Sequence, residues 1–154
     1  MATATIDKID SQVADIQNEI DYLKSQIEIF QAKLSDLENL KAQKEAQKER
    51  VQKFEDKTSK VLTEAESLNV EIPSKEEFEK VYDIPYYQGG LTDQERKILW
   101  KLPYHLEEAI AEDQCVTKSR LSGIKSSLYK KFELQGTPCQ KTIALKAMSV
   151  MYLS

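Results

Sequence analysis

An unbroken row of apolar residues, spaced alternately three and four positions apart, runs from Ile6 to Leu37. This first row consists of Ile6, Ile9, Val13, Ile16, Ile20, Leu23, Ile27, Phe30, Leu34 and Leu37. A straight α-helix has a period of 3.6 residues, so a repeat of 3.5 stays on one face only where helices wind around each other. The row therefore predicts a coiled coil whose partner helices match it in length.

Charged residues beside the first row indicate which partner fits. With Ile6 at heptad position a, Glu19 at g faces Lys24 at e of an identical parallel chain, and Lys33 likewise faces Glu38. The other contacts of this kind pair glutamine with glutamine. No like charges meet, so we predict a parallel, in-register homo-oligomer whose register is set by these four residues. Isoleucine, leucine and phenylalanine all occur at position d, so the number of chains could be two or three, and the isoleucines slightly favour three.

A second row of apolar residues follows in a shifted phase. It consists of Val51, Phe54, Thr58, Val61, Ala65, Leu68 and Ile72, again three and four residues apart. Between the rows, residues 41–50 are strong helix formers but place lysine and glutamine at core positions. We expect the helix to continue to about Val70 with looser packing over 41–50. A reversal into an antiparallel hairpin is the alternative, although the usual turn residues are missing before Asn69.

Proline and glycine divide the chain. All eight of them, four of each, lie after Leu68, and the first is Pro73. We predict an all-α protein with a coiled-coil stalk over 1–72 and a short helix with an aromatic loop over 73–91. A small helical domain over 92–154 is expected to dock onto other proteins.

Local signals place helices within the second half of the chain. Ser74, Thr92 and Thr137 each precede Glu or Gln by three residues, which is the capping-box pattern of a helix start. Apolar positions over 104–134 fit one bent helix or two short ones. The single tryptophan, Trp100, is expected in the core of the bundle.

Two adjacent tyrosines, Tyr86 and Tyr87, lie in a segment that also holds proline and glycine. That composition indicates an ordered loop, because disordered linkers seldom carry so many aromatic residues. The tyrosines are either contacts for a protein partner or a seal over the small bundle.

The sequence offers little support for catalysis or metal binding. Cys115 and Cys139 belong to no Cys-x-x-Cys pair and are expected to be buried, in a reducing compartment. His105 has no nucleophile beside it, and the two Ser-x-x-Lys matches, at Ser122 and Ser127, lack companion motifs. Four acidic residues early in a predicted helix are typical of a solvated face: Glu107, Glu108, Glu112 and Asp113. We expect no cofactor, no metal and no enzymatic activity.

A cluster of cations in the second half could contact nucleic acid. Its members are Lys118, Arg120, Lys125, Lys130 and Lys131, with Tyr129 and Phe132 nearby. The surrounding segment carries many acids, and the whole chain has a net charge of −4, so nucleic acid is not the expected partner.

These patterns favour a structural or assembly protein that joins copies of itself and docks within a larger complex, a virus particle being one example. The alternative is a coiled-coil adaptor or regulatory protein that binds a client or nucleic acid through its C-terminal domain. No secretory signal pattern or long apolar segment is present, so the expected location is the cytoplasm or a particle assembled inside the cell, without membrane contact.

Overall fold

One long helix followed by five shorter ones makes up the chain. The computed structural model describes residues 2–154, with side chains from Ile6 onward, so Met1 of the predicted stalk lies outside the described residues. The helices are α1 (Ala2–Ser67), α2 (Lys75–Tyr82), α3 (Asp93–Lys101), α4 (Glu107–Asp113), α5 (Lys118–Lys131) and α6 (Pro138–Leu153), with a 3-10 turn at Tyr86–Gln88. No strand occurs in the described part of the chain, which confirms the all-α class.

Contacts within the chain group it into two compact units. The first comprises the residues up to Arg50, and the second comprises Val51–Ser154. The second unit therefore holds the last part of α1 together with all the shorter helices. The predicted stalk instead extended to residue 72, where proline interrupts the sequence. The contact boundary lies earlier because α1 packs against the bundle before the proline is reached.

Residues 41–50 are helical throughout, so the antiparallel hairpin does not form. The helix ends at Ser67, slightly before the expected Val70, because Asn69 adopts a left-handed conformation with φ of 46°. The amide of Asn69 donates to the carbonyl of Glu66 at 3.1 Å, and that of Val70 donates to Ala65 at 3.0 Å. This pair of bonds is a Schellman motif, in which asparagine takes the place usually held by glycine.

All three predicted capping boxes form and start helices. The side chains of Ser74, Thr92 and Thr137 accept from the backbone three residues on, and the Glu or Gln there accepts from the cap residue in return. Thr117 also caps α5, accepting from Arg120. These caps satisfy backbone N–H groups that a helix leaves unpaired at its start.

The segment 104–134 forms two short helices, α4 and α5, rather than one bent helix. The helix α4 ends at a Schellman motif in which Cys115 has φ of 52°, and α5 ends the same way at Glu133 with φ of 54°. Cys115 and Cys139 are both exposed, so the prediction that they are buried is wrong. Both cysteines lie near a helix end, where side chains are more open to solvent, and the amino-acid composition does not reveal that position.

Apolar side chains from α2 to α6 form the main core of the second unit. Its buried members are Phe78, Leu91, Ile98, Leu99, Leu102, Ile110, Ala111, Leu121, Ile124, Leu128, Phe132, Leu134, Ala144, Leu145 and Met148. Phe78 comes from the predicted linker 73–91, whose helix α2 is thus part of the core. Trp100 is not a member: it is 43 % exposed, so its predicted core position is wrong. The neighbours Ile98 and Leu99 take the inward positions of α3 instead.

The second apolar row meets a partner within the same chain. Val61 and Ala65 are buried against Ile143, Ala147 and Val150 of α6. Two of these five residues, Ala65 and Ala147, are alanines, and both are buried. Val61 and Ala65 of the second row therefore belong to the core of the second unit, whereas Leu68 is 41 % exposed.

Glu95 is the buried acid of the bundle and lies in a dense set of hydrogen bonds. Lys131 Nζ lies 2.7 Å from one carboxylate oxygen, Ser127 donates to the other at 2.7 Å, and Thr92 donates through its amide at 2.7 Å. Lys131 also donates to the carbonyl of Gly90 at 3.0 Å. This network ties α3, α5 and the loop before α3 together.

Burial of the Glu95 carboxylate raises its pKa, but the hydrogen bonds from Lys131, Thr92 and Ser127 outweigh burial and leave the pKa below its usual value of 4.5. A lowered pKa in the folded state favours folding above the unfolded pKa. That contribution is lost as the pH falls through the lowered folded pKa.

The substitution Glu95→Gln tests this network. We expect it to lower the free energy of unfolding by about 1–3 kcal/mol near neutral pH, because Lys131 loses its charged partner in a mostly buried setting. The difference from the wild type should shrink as the pH falls well below 4.5. Urea unfolding at several pH values measures both effects.

Glu108→Gln is the matched control, because Glu108 is exposed and its contact with Lys118, at 3.1 Å, is a surface ion pair. Its effect on stability should be close to zero. Equal losses in the two variants at neutral pH would contradict the structural role of Glu95.

Ala65→Leu tests the packing of α1 against α6. The larger side chain should overpack this contact and destabilise the second unit by about 1–3 kcal/mol. Ala46→Leu, the same substitution at an exposed position of the same helix, should change stability little. Thermal unfolding followed by circular dichroism compares the two, and similar behaviour would show that Ala65 is not enclosed.

Candidate self-association surface

All ten side chains of the first row are exposed on α1. Their exposed fractions lie between 40 % for Ile20 and 62 % for Phe30 and Leu37. The first unit consists of a single helix, which cannot bury its own apolar face. Full burial of an apolar side chain of this size stabilises a protein by about 1.5–3 kcal/mol. The row is therefore a large apolar surface whose burial would release considerable free energy.

The register-setting residues Glu19, Lys24, Lys33 and Glu38 lie exposed along the edges of the first row. Within the chain, Lys24 is 3.8 Å from Asp21, and both side chains are mostly open to solvent. Lys33 Nζ lies 5.9 Å from the centre of the Phe30 ring. Exposed contacts of this kind are weak, so they leave these lysines able to meet a neighbouring helix.

Three large apolar residues of the first unit are exposed outside the first row: Tyr22, Ile29 and Leu40. Tyr22 and Ile29 are seven residues apart and share heptad position c, on the side of the helix nearer to position d. The spacing of positions a and d alone does not reveal Tyr22 and Ile29. A search for apolar residues repeated at any heptad position would have found them. They extend the apolar surface of the first row on one side of the helix.

Tyr86 and Tyr87 form part of the 3-10 turn at residues 86–88, and both are exposed, Tyr87 to 82 %. Neither seals the bundle core, which was the alternative interpretation. Lys131 Nζ lies 4.3 Å from the centre of the Tyr86 ring. The Tyr86 ring therefore contacts the Lys131 ammonium group, whereas the Tyr87 side chain is almost fully exposed to solvent.

Two glycines and two backbone hydrogen bonds shape the tight turn that carries these tyrosines. Gly89 has φ of 95°, which favours glycine, and a Cβ on Gly90 would lie 1.4 Å from the carbonyl oxygen of Ile84. The amides of Gln88 and Gly90 both donate to the carbonyl of Pro85. Glycine at position 90 is required for this close approach.

Cations of the possible nucleic-acid cluster are largely engaged within the chain. Lys118 lies 3.1 Å from Glu108, and Lys125 lies 2.5 Å from Glu107. Lys131 pairs with Glu95, as described above. The acids of α4 thus neutralise part of the cluster.

The remaining candidate residues are spread over the surface. Asp113 forms an ion pair with Lys101, and the hydrogen bond from Lys101 holds the pKa of Asp113 below its usual range. His105 is exposed. Lys125 contacts an acid instead of a serine hydroxyl, and among the described residues no cluster of histidine, cysteine and acidic side chains has the size of a metal site.

None of the helices in the described residues combines the length and apolar character needed to cross a membrane. Comparison of the chain with protein-family models, with curated proteins and with solved structures finds no match.

Proposed function

We propose that this chain is a non-enzymatic assembly protein that joins identical copies through the first row of α1 and docks onto other subunits through its C-terminal helical unit. The observation that carries the proposal is the exposure of all ten members of the first row on a helix that has nothing else in its unit to pack against. Burial of that row between copies gives the free energy for assembly.

The spacing of the first row supports helices as the partners. A 3.5-residue repeat matches knobs-into-holes packing along a shared supercoil, whereas a flat protein surface would lose contact with the row after a few turns. Attraction of Glu19 for Lys24 and of Lys33 for Glu38 supports identical, parallel chains. Each such pair contributes little energy and mainly selects orientation.

The mixed d positions of the first row support a trimer over a dimer. Isoleucine at both a and d favours three strands or more, and Ile9 and Ile16 occupy d in the first two heptads. Leucine and phenylalanine occupy d after that. The first heptads therefore carry the preference for three chains.

The second unit supports docking through its exposed aromatic residues. Tyr86 and Tyr87 lie exposed on a tight turn in which Gly89 has a positive φ and Gly90 lies against the carbonyl of Ile84. A rigid aromatic side chain loses little conformational entropy on binding, and tyrosine is common among residues that dominate interface energies. This loop is the proposed contact for another subunit.

Leu23→Asp tests self-association through the first row. Enclosing a carboxylate in an apolar seam should weaken association by about 3 kcal/mol or more per chain. By light scattering, the wild type should have two or three times the 17.7 kDa mass of the chain, and the variant should be a monomer. Ser25→Asp at position f, on the outer side of the coil, is the matched control and should keep the wild-type mass.

Charge exchange tests the parallel register. Glu19→Lys should weaken association by roughly 0.5 kcal/mol per contact, because it opposes Lys24 of the neighbouring chain. Combining it with Lys24→Glu should restore the wild-type affinity. Sedimentation equilibrium at low salt compares the variants, and a double variant no stronger than the single one would contradict parallel, in-register pairing.

A further inference from the structure

Part of the second apolar row remains uncovered at the start of the second unit. Val51 is 51 % exposed and Phe54 is 38 % exposed, whereas Val61 and Ala65 further along are buried against α6. One face of α1 is thus open over its first turns in this unit and closed over the next. The exposure of this face changes where α6 begins to cover α1.

An aromatic patch, formed by Phe54, Tyr104 and Trp100, borders the open part of the row. The rings of Phe54 and Tyr104 are stacked with centres 4.6 Å apart, and Trp100 meets Tyr104 edge-on at 6.0 Å. Lys57 Nζ donates to the carbonyl of Tyr104 at 3.0 Å, which holds this turn against α1. The patch therefore contacts α1 through both a ring stack and a hydrogen bond, and Trp100 in it is 43 % exposed.

The heptad pattern around the patch identifies the partner that fits it. In the phase of the second row, Val51 takes position a and Phe54 takes position d. Arg50 then falls at g and Glu55 at e, so parallel, in-register copies bring opposite charges together here. This is the same arrangement that Glu19 and Lys24 give in the first row.

We propose that a second copy of this chain covers Val51 and the aromatic patch, and that α6 of each chain ends the shared interface at Val61. This inference rests on the proposed self-association and extends it to a second segment. One continuous helix thus serves two partners in turn: copies of itself up to Phe54, and its own α6 from Val61 onward. The polar residues Lys44 and Gln47 separate this segment from the first row.

Disulfide cross-linking between copies tests where the interface ends. The full-length chain with Cys115→Ser and Cys139→Ser is the background, since both thiols are exposed. Single cysteines are then introduced by Ile27→Cys, Val51→Cys and Val61→Cys. A disulfide needs Cα atoms within about 7 Å, so it forms only where identical positions face each other.

After mild oxidation, Ile27→Cys and Val51→Cys should give cross-linked dimers on non-reducing gels, and Val61→Cys should not. Asp56→Cys, at position f on the outer side of α1, is the matched control and should remain uncross-linked. Circular dichroism of Val61→Cys checks that its bundle is folded.

The other possible cross-linking results distinguish this inference from the proposed function. Cross-linking at Ile27 without cross-linking at Val51 would overturn this inference and leave the proposed function intact. Equal cross-linking at Val51 and Val61 would overturn the role of α6 as the end of the interface. Cross-linking at Val51 alone would support this inference and contradict self-association through the first row.

Fluorescence of Trp100, the single tryptophan, gives a second test. Acrylamide should quench its emission less in the assembled wild type than in monomeric Leu23→Asp, because a neighbouring copy covers the aromatic patch. Equal quenching in an assembled wild type and a monomeric variant would place Trp100 outside the interface and contradict the inference.

Discussion

The exposed first apolar row is the physical constraint on which the proposed assembly depends. The helix that carries Ile6 to Leu37 has nothing within its own unit against which those side chains could pack. Helical propensity alone stabilises isolated helices weakly in water, and most helices gain their stability from packing of an apolar face. This is the physical reason for the proposal that α1 is stabilised by neighbouring helices of matching period.

In the second unit, part of the apolar face of α1 is buried by another helix of the same chain. Ile143, Ala147 and Val150 of α6 cover Val61 and Ala65, and the main core formed by α2 to α6 lies beside this contact. Capping boxes at Ser74, Thr92 and Thr137 and Schellman motifs at three helix ends satisfy the backbone where helices stop. Short helices can pack tightly here because their ends are well defined.

Local signals were sufficient to predict the starts of α2, α3 and α6, since a capping box depends on residues three positions apart. The all-α class followed from helical spacing of apolar residues along the whole chain. Other features depend on tertiary contacts that no local pattern encodes. Trp100 lies on the surface because Ile98 and Leu99 take the inward positions of α3, and Cys139 is exposed in the first turn of α6. The pairing of the second row with α6 also lay beyond local reasoning, because a heptad-like spacing does not distinguish a copy from another helix of the same chain.

The candidate surface was predicted in its periodicity but not in its full extent. The ten members of the first row follow from spacing alone, and the structure adds Tyr22 and Ile29 at its margin. The tight turn that carries Tyr86 and Tyr87 depends on Gly90 lying against the carbonyl of Ile84, a contact visible only in three dimensions.

Thermal unfolding of a peptide spanning residues 1–50, followed by circular dichroism over a wide range of concentrations, tests the central claim most directly. Helices that bury the first row between copies should melt cooperatively, with a midpoint that rises with peptide concentration. A midpoint independent of concentration, from micromolar to millimolar peptide, would contradict the account.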